Sequence, residues 1–486
     1  MENRERKIIP FVLIIYAVAV LLRLVPVLLS RDLGIGLDDM FQYDMLGRSL
    51  AAGNGFRWYA PPDREMLLNA LRYFGGIDTS AIDLPQDPRG ILTTFRAPLY
   101  PLFLAGIYWI SGLEARFFAA RLVQAFMMAS LAPMTYALAK RLDASERYAR
   151  LAAWIPAVWP MLLFFPLGLA TENLFLPLLT AGTLLLFKAV ESRRLRDFTL
   201  SSLLLGLATL TRSVIVGFPA LAALWLWIRK MRREAVLLVL VVAALVLPWS
   251  VRNSLLHEKP TFVETSLGYN LYLGYHPEGD GSFIFGPSLD LITILDDAER
   301  DAVGRERAWE FIQQDPWRVP ELMLRKLGHL FGLEDRVFAF FYSNGLLGTF
   351  PPWAVITLFL LLVLPLVIVL PLAILGWVIG PRNPGWQLTS LLLAWYFGVH
   401  MLIMAEERFH LAIVPLLAAL VGRGLTHWPL VRKGLRKRQS WAYILMVPVV
   451  VLVLLAFLNW GLELAGNADQ LALLFGPDGS SARFNY

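Results

Sequence analysis

Long apolar runs, each followed by a short basic or polar interruption, organise most of this chain. Runs of the length needed to cross about 30 Å of hydrocarbon begin near residues 9, 117, 149, 172, 198, 214, 234, 353, 388, 411 and 441, about eleven candidate membrane helices judged against the roughly 20 residues a span requires. The first follows the charged start MENRERK; its apolar stretch, Ile8 to Leu29, is long and no small-residue cleavage site precedes Arg31, so it reads as a retained span. Basic clusters at Arg4/Arg6/Lys7, Lys140/Arg141/Arg147/Arg150, Lys188/Arg193/Arg194/Arg196, Arg229/Lys230/Arg232/Arg233 and Arg432/Lys433/Arg436/Lys437/Arg438 share one side, the cytoplasmic one, provided that Pro98 to Ile110 does not cross. That segment, with Tyr100, Tyr108 and Trp109, suits a helix lying in the outer interface.

The pattern predicts an all-α polytopic membrane protein with outer-face juxtamembrane helices. It divides into a transmembrane module, 1–250, which includes a first outer loop at 30–97, then a second outer loop, 251–352, C-terminal spans, 353–461, and a tail, 462–486. Met40 to Ala52 has helical spacing of Phe41, Met45, Leu46 and Leu50 and stops at Gly53-Asn-Gly55. Phe198 to Thr211 and Val214 to Ile228 are short for spans and meet at Arg212, the pattern of a broken helix ending at a polar site. In the second outer loop a glycine-rich turn is expected at Gly268 to Gly281, with helices from Asp296 to Gln314 and from Asp315-Pro316 onward.

Composition agrees. Of 486 residues 57% are hydrophobic and 17% charged, with a mean hydropathy of +0.57, values that exclude a disordered scaffold or a merely peripheral enzyme. Cysteine is absent, which removes disulfides, thiol nucleophiles and thiolate metal sites. The net charge of +6 follows from the basic cytoplasmic loops, so no nucleic-acid partner is expected. The six histidines have no metal-ligand spacing.

Several ionisable residues fall on the outer side. Asp38 and Asp39 with Gln42, Tyr43 and Asp44 follow the first span, where a carboxylate can take a proton from an acceptor hydroxyl or simply cap a helix. Glu172 opens a helix and has the same two readings. Arg96 either snorkels or offers its planar donor fork to a phosphate. Arg212, Arg252 with Asn253, and Arg408 within Glu406-Glu407-Arg408-Phe409-His410 are structural ion-pair partners or parts of the same outer half-membrane site; convergence of so many charges favours the site.

Asp39-x-x-Gln42-Tyr43-Asp44 with Gly53-Asn-Gly-Phe56, Arg96-Ala-Pro-Leu-Tyr-Pro-Leu-Phe-Leu104, Thr171-Glu172, Leu210-Thr-Arg212, Pro248-Trp-Ser-Val-Arg-Asn253, Gly268-Tyr-Asn-Leu-Tyr-Leu-Gly274 and Glu407-Arg408-Phe409 occur in that order. Together they resemble the GT-C polytopic glycosyltransferases, specifically the branch of protein O-mannosyltransferases and lipid A aminoarabinose transferases, from the first span to about residue 415. The resemblance implies transfer of a sugar from a polyprenyl-phosphate carrier to a hydroxyl acceptor on lipid, glycan or protein at the outer membrane face. It implies Asp39 as catalytic base with Asp38 as rival, Arg96, Arg212 and Arg408 at the donor phosphate, and Tyr43, Asp44, Glu172, Arg252 and Asn253 positioning acceptor or sugar. Phe409 departs from the usual Arg-Tyr form, which weakens the Arg408 match. No cofactor is required on this reading; a divalent cation at Asp38, Asp39 or Glu172 stays open. The expected setting is the plasma (inner) membrane, with the site facing the periplasm or exterior. Alternatives are a transporter or flippase of lipid-linked or small polar substrates, a ligase acting on lipid-linked glycans, and an inactive scaffold.

Overall fold

The computed structural model describes residues 2–36, 39–75, 79, 87–291, 293–345 and 347–483; within them the regular structure is helical, joined by turns and loops, apart from a two-stranded antiparallel ladder, Arg57–Trp58 with Ile91–Leu92. It is an integral membrane protein. Seven helices are long and apolar enough to cross: Ile9–Leu29, Arg116–Arg141, Glu172–Ser192, Arg232–His257, Pro352–Val378, Glu407–Arg436 and Ser440–Gly466. Glu146–Val158 and Pro160–Leu167, bent by 57° at their junction, make an eighth if counted as one span.

All eleven apolar runs are helical, but the count of eleven spans is not reached on length and apolarity. Leu195–Thr211 has 17 residues and Gly217–Ile228 has 12, each short by itself. Pro384–Leu402 carries Gln387, Thr389, Ser390 and His400, which lower its hydropathy. Leu99–Ser111 rises about 20 Å over its 13 residues, short of the hydrocarbon thickness, as its expected interfacial placement requires.

Cross-links between helix ends sort the bundle into two poles. At one, Arg141 lies 3.6 Å from Glu191, Asn383 Nδ2 donates to Arg141 O, Arg229 Nη2 to Gln387 Oε1 at 2.6 Å, and His427 Nε2 pairs with Asp143. The basic clusters around 140–150, 188–196 and 229–233 therefore gather together, as the charge pattern requires. The helix ends at Asp39, Glu172, Arg212 and Arg408 gather at the opposite pole.

Buried arginines hold the irregular joints of this bundle. Pro160 has no N–H for the carbonyl of Pro156, so the bend leaves that oxygen without its helical donor. Arg23, fully buried in the first helix, supplies one: its Nη2 donates to Pro156 O at 2.8 Å and Nη1 to Ala157 O at 3.3 Å. Arg121 repeats the device, donating to Leu33 O, Gly34 O and Leu167 O at 2.5 to 2.8 Å and fixing the segment that leads into the Asp39 helix.

The two long polar segments of the chain pack on one another. Buried Asp297 accepts from Thr93 Oγ1 at 2.5 Å and from Thr94 N at 2.7 Å, and pairs with Arg300. Two expectations for the second segment are corrected here. Leu267–Tyr275 is a helix rather than part of a glycine-rich turn. Gly268 and Gly274 serve close approach: a Cβ on Gly268 would lie 1.9 Å from Asp301 O, and one on Gly274 2.0 Å from Ile403 O. The next helix begins at Arg318, because Asp315 to Trp317 form a turn in which Asp315 Oδ1 accepts from Arg318 N.

Candidate functional site

Five charged residues from separate stretches of chain meet at the pole opposite the basic clusters. Asp39 occupies the first turn of the helix Asp39–Ala51, where exposed N–H groups favour a carboxylate. Arg96 lies between the strand Ile91–Leu92 and the helix Leu99–Ser111, and Arg408 in the 3-10 segment Glu407–Ile413. Glu172 begins Glu172–Ser192. Arg212 sits at the break after Leu195–Thr211 with extended backbone, φ −145° and ψ 115°; Pro219 then falls in the first turn of the following helix, where its missing N–H costs nothing.

Arg96 pairs with Asp39 Oδ1 through Nη2, and its Nε donates to Gln42 Oε1 at 2.8 Å. The rings of Tyr43 and Phe95 lie 5.2 and 5.0 Å from the guanidinium, a desolvated aromatic setting suited to a planar cation. Arg408 Nη2 is 4.0 Å from Asp39 Oδ2. Arg212 Nη1 donates to Glu172 Oε1 at 2.5 Å and to Thr171 Oγ1 at 3.3 Å, with Phe409 5.1 Å from its guanidinium.

Exposure separates these groups. Asp39 keeps 44% of its side-chain surface and Arg408 33%, although protein surrounds Asp39, so Asp39 lines a recess that solvent reaches. Glu172 keeps 8% and is spoken for by Arg212. Enclosure raises the Asp39 carboxyl, but Arg96, Arg408 and Arg212 outweigh it and hold the group below the ordinary carboxylate value. An ionised, reachable carboxylate among guanidinium groups can orient a hydroxyl and accept its proton, while the guanidinium groups can take a departing phosphate.

Asp38 lies outside the described residues. Tyr43 is buried in the wall beneath Arg96, edge-on to Tyr100 at 5.1 Å. Asp44 faces away: it is buried between Arg48 and Arg116, each 2.8 Å distant. Arg252 donates to Thr93 O at 2.9 Å and to Asn253 Oδ1, and Asn253 Nδ2 to Phe262 O and Val263 O, so this pair ties a helix end to the two long polar segments.

Glu264, Glu334 and Trp159, not singled out from the sequence, complete the surroundings with Tyr269 and His410, which the sequence marks only within longer stretches. Glu264 accepts from Ser213 Oγ beside the break and interacts electrostatically with Arg96. Tyr269 stacks edge-on against Phe95 at 5.7 Å and feels both Asp39 and Arg96. Behind Arg408, His410 Nε2 meets Glu334 Oε1 at 2.6 Å and Trp159 Nε1 donates to the same carboxylate at 2.8 Å, all three fully buried. The Thr261–Ser266 stretch has no periodicity that would have marked Glu264.

Among the described residues one trio of carboxylates has oxygens within 4.8 Å of one another: Asp335, Glu407 and Glu463. It does not include Asp39 or Glu172. Burial pushes the Asp335 carboxyl up to about 6.

Comparison with known proteins agrees with the GT-C resemblance. Residues 95–251, which carry Arg96, Glu172 and Arg212, match the family model described as dolichyl-phosphate-mannose-protein mannosyltransferase, a GT-C family. No curated protein matches the chain in sequence. Among solved structures, the oligosaccharyltransferase AglB from Archaeoglobus fulgidus, in complex with an inhibitory peptide and a dolichol-phosphate, aligns at 13% identity and a TM-score of 0.47 over 99% of this chain and 56% of its own. The chain thus spans little more than half the length of AglB. ArnT from Cupriavidus metallidurans, bound to undecaprenyl phosphate, aligns at 12% identity and a TM-score of 0.36 over 88% of this chain and 79% of its own.

Proposed function

We propose that this protein is a membrane glycosyltransferase that moves a sugar from a polyprenyl-phosphate carrier to a hydroxyl acceptor at the outer membrane face. The observation that carries the reading is the meeting of one solvent-reached carboxylate, Asp39, with Arg96 and Arg408, beside the Arg212–Glu172 pair. The description of the matched family, with dolichyl-phosphate-mannose as donor, supports a lipid-phosphate sugar. The pole opposite the basic clusters corresponds to the periplasm or cell exterior under the charge rule, with the plasma (inner) membrane as the setting.

A polyprenyl-phosphate sugar is already activated, because departure of the phosphate leaves an anion that guanidinium groups stabilise. Asp39 accepts the acceptor's hydroxyl proton as that oxygen forms its bond to the anomeric carbon. The bond from that carbon to the phosphate oxygen breaks, its electron pair leaves with the lipid phosphate, and the anomeric configuration inverts. Arg96 and Arg408 receive the phosphate charge. Arg212, fixed by Glu172, adds to the field, and Glu172 acts by holding it. Tyr43 walls Arg96, while Asp44, Arg252 and Asn253 hold the outer segments around the acceptor's approach.

Turnover of a panel of polyprenyl-phosphate sugars by the full chain in nanodiscs tests the reading. Release of polyprenyl phosphate together with an inverted glycoside supports it; absence of both turnover and donor binding across the panel would sink it, and a retained product would sink the single displacement.

A further inference from the structure

Each arginine facing the recess is engaged by a carboxylate before any substrate arrives: Arg96 and Arg408 by Asp39, Arg212 by Glu172. The Arg96 fork is the most committed. Nη2 holds Asp39 and Nε holds Gln42, so the two donors that share one edge of the guanidinium are both occupied. A carboxylate in this state is a weak base, because taking up a proton would discard its ion pair. The residue proposed to accept the proton is therefore restrained by the residues proposed to receive the phosphate.

Charge balance carries the point further. Among the described residues the groups around the recess are Asp39 and Tyr43 on one helix, Arg96 before Leu99–Ser111, Glu172 and Arg212 at the helix break, Glu264 and Tyr269 from the second outer segment, Tyr396 from Pro384–Leu402, and Arg408 from the 3-10 segment. Among the described residues three carboxylates face three guanidinium groups there. A sugar phosphodiester adds one negative charge, which raises the proton affinity of a carboxylate beside it, so that a hydroxyl proton is accepted more readily once the donor is bound. Asp39 is the carboxylate with the surface to receive it, since Glu172 is covered.

We propose, resting on the transferase reading above, that the donor's phosphate competes with Asp39 for Arg96 and Arg408, so that donor binding itself releases Asp39 to act as base. Gln42 and the rings of Tyr43 and Phe95 keep Arg96 in place while its Nη2 changes partner. The site is then ordered. An acceptor arriving first finds Asp39 ion-paired and unreactive, and the carboxylate becomes basic only when a lipid phosphate is present to be displaced.

Equilibrium binding of undecaprenyl phosphate to the full chain in nanodiscs at neutral pH, compared with Asp39→Asn, Arg96→Gln and the double variant, tests this. Removing the competitor is expected to tighten binding about 10-fold in Asp39→Asn, and removing the contested cation to weaken it about 10-fold in Arg96→Gln, each about 1.4 kcal/mol. The gain from Asp39→Asn is expected to shrink in the Arg96→Gln background, where Arg408 alone is still contested. Binding by the wild type with no gain in Asp39→Asn overturns the competition while leaving the transferase reading intact. No binding by the wild type overturns both. If Asn at position 39 lowers the melting temperature, the wild type alone decides through calorimetry at pH 5 in buffers of different ionisation enthalpy, with a polyprenyl-phosphate sugar as ligand, a diester that does not titrate there, unlike the monoester with its second pKa of about 6. Proton uptake on binding is expected; proton release or no exchange overturns the proposal.

Discussion

Arg96 reaches Asp39 across 57 positions of sequence and is aimed there by Gln42, one turn along the Asp39 helix, whose Oε1 accepts from Arg96 Nε at 2.8 Å. The geometry uses the planar fork of arginine, two donors along one edge, which a lysine cannot reproduce. Arg96→Lys is therefore expected to lower kcat/KM for the lipid-phosphate donor about 100-fold, the scale of losing one charge-stabilising donor. Gln42→Ala, which leaves the guanidinium in place but removes its aim, is expected to cost about 10-fold. Steady-state kinetics with saturating acceptor measure both; equal effects of the two variants would contradict a fork aimed by Gln42.

The Glu172–Arg212 pair sits at the broken helix, with Glu172 covered and Arg212 turned partly toward the recess. Removing one partner of such a pair leaves an uncompensated charge, a loss of about 3 kcal/mol where burial is complete and less here because Arg212 is partly exposed. Glu172→Gln and Arg212→Gln are each expected to lower the melting temperature by several degrees, and the double variant by less than the sum. A thermal-shift series in detergent reads this; strict additivity would mean the two residues act independently.

Arg23 is predicted to matter for stability and not for chemistry. Its donation to Pro156 O answers a carbonyl orphaned by Pro160, far along the chain from Asp39. Arg23→Leu leaves that oxygen and Ala157 O without their donor, at a cost of about 2 kcal/mol. The expected result is a lower melting temperature with KM for donor unchanged at temperatures where the protein stays folded. An Arg23→Leu variant as stable as wild type would remove the assigned role.

The acid dependence follows from Asp39. Its folded-state value lies below the ordinary carboxylate value of about 4, so the ion pair contributes stability above that value and loses it as pH falls through the folded one. The window is thus below about pH 4, and this group contributes no slope from pH 5 upward. The acid limb of kcat/KM, which reports free enzyme, is expected in the same low window, whereas the limb of kcat at saturating donor moves upward as Asp39 is released from its arginines. A pH–rate series with donor both limiting and saturating distinguishes them; coincident limbs would count against release.

The sequence was most informative where chemistry and chain geometry coincide. The apolar runs, the break at Arg212, the helix after Asp39 and the basic pole were all legible, because each rests on a local requirement of hydrocarbon, helix period or charge. Local pattern misled at Gly268 and Gly274, whose small size serves contact with Asp301 and Ile403 rather than a turn. It was silent on Arg23 and Arg121, cations inside apolar helices whose partners, the carbonyls they serve, are brought to them only by the fold. Glu264 was invisible for the same reason, since its neighbours Ser213 and Arg96 lie far away in sequence. Asp44 was legible as a carboxylate beside Asp39, but its burial between Arg48 and Arg116 is a tertiary fact.

The most direct test of the central claim compares wild type and Asp39→Asn in a single-turnover assay with polyprenyl-phosphate sugar and a hydroxyl acceptor, in nanodiscs, with donor binding measured on the same samples. Loss of a positioned base is expected to slow sugar transfer about 10²- to 10⁴-fold, while Asp39→Asn still binds the donor. Transfer by Asp39→Asn at the wild-type rate would contradict the assignment of Asp39 as the base.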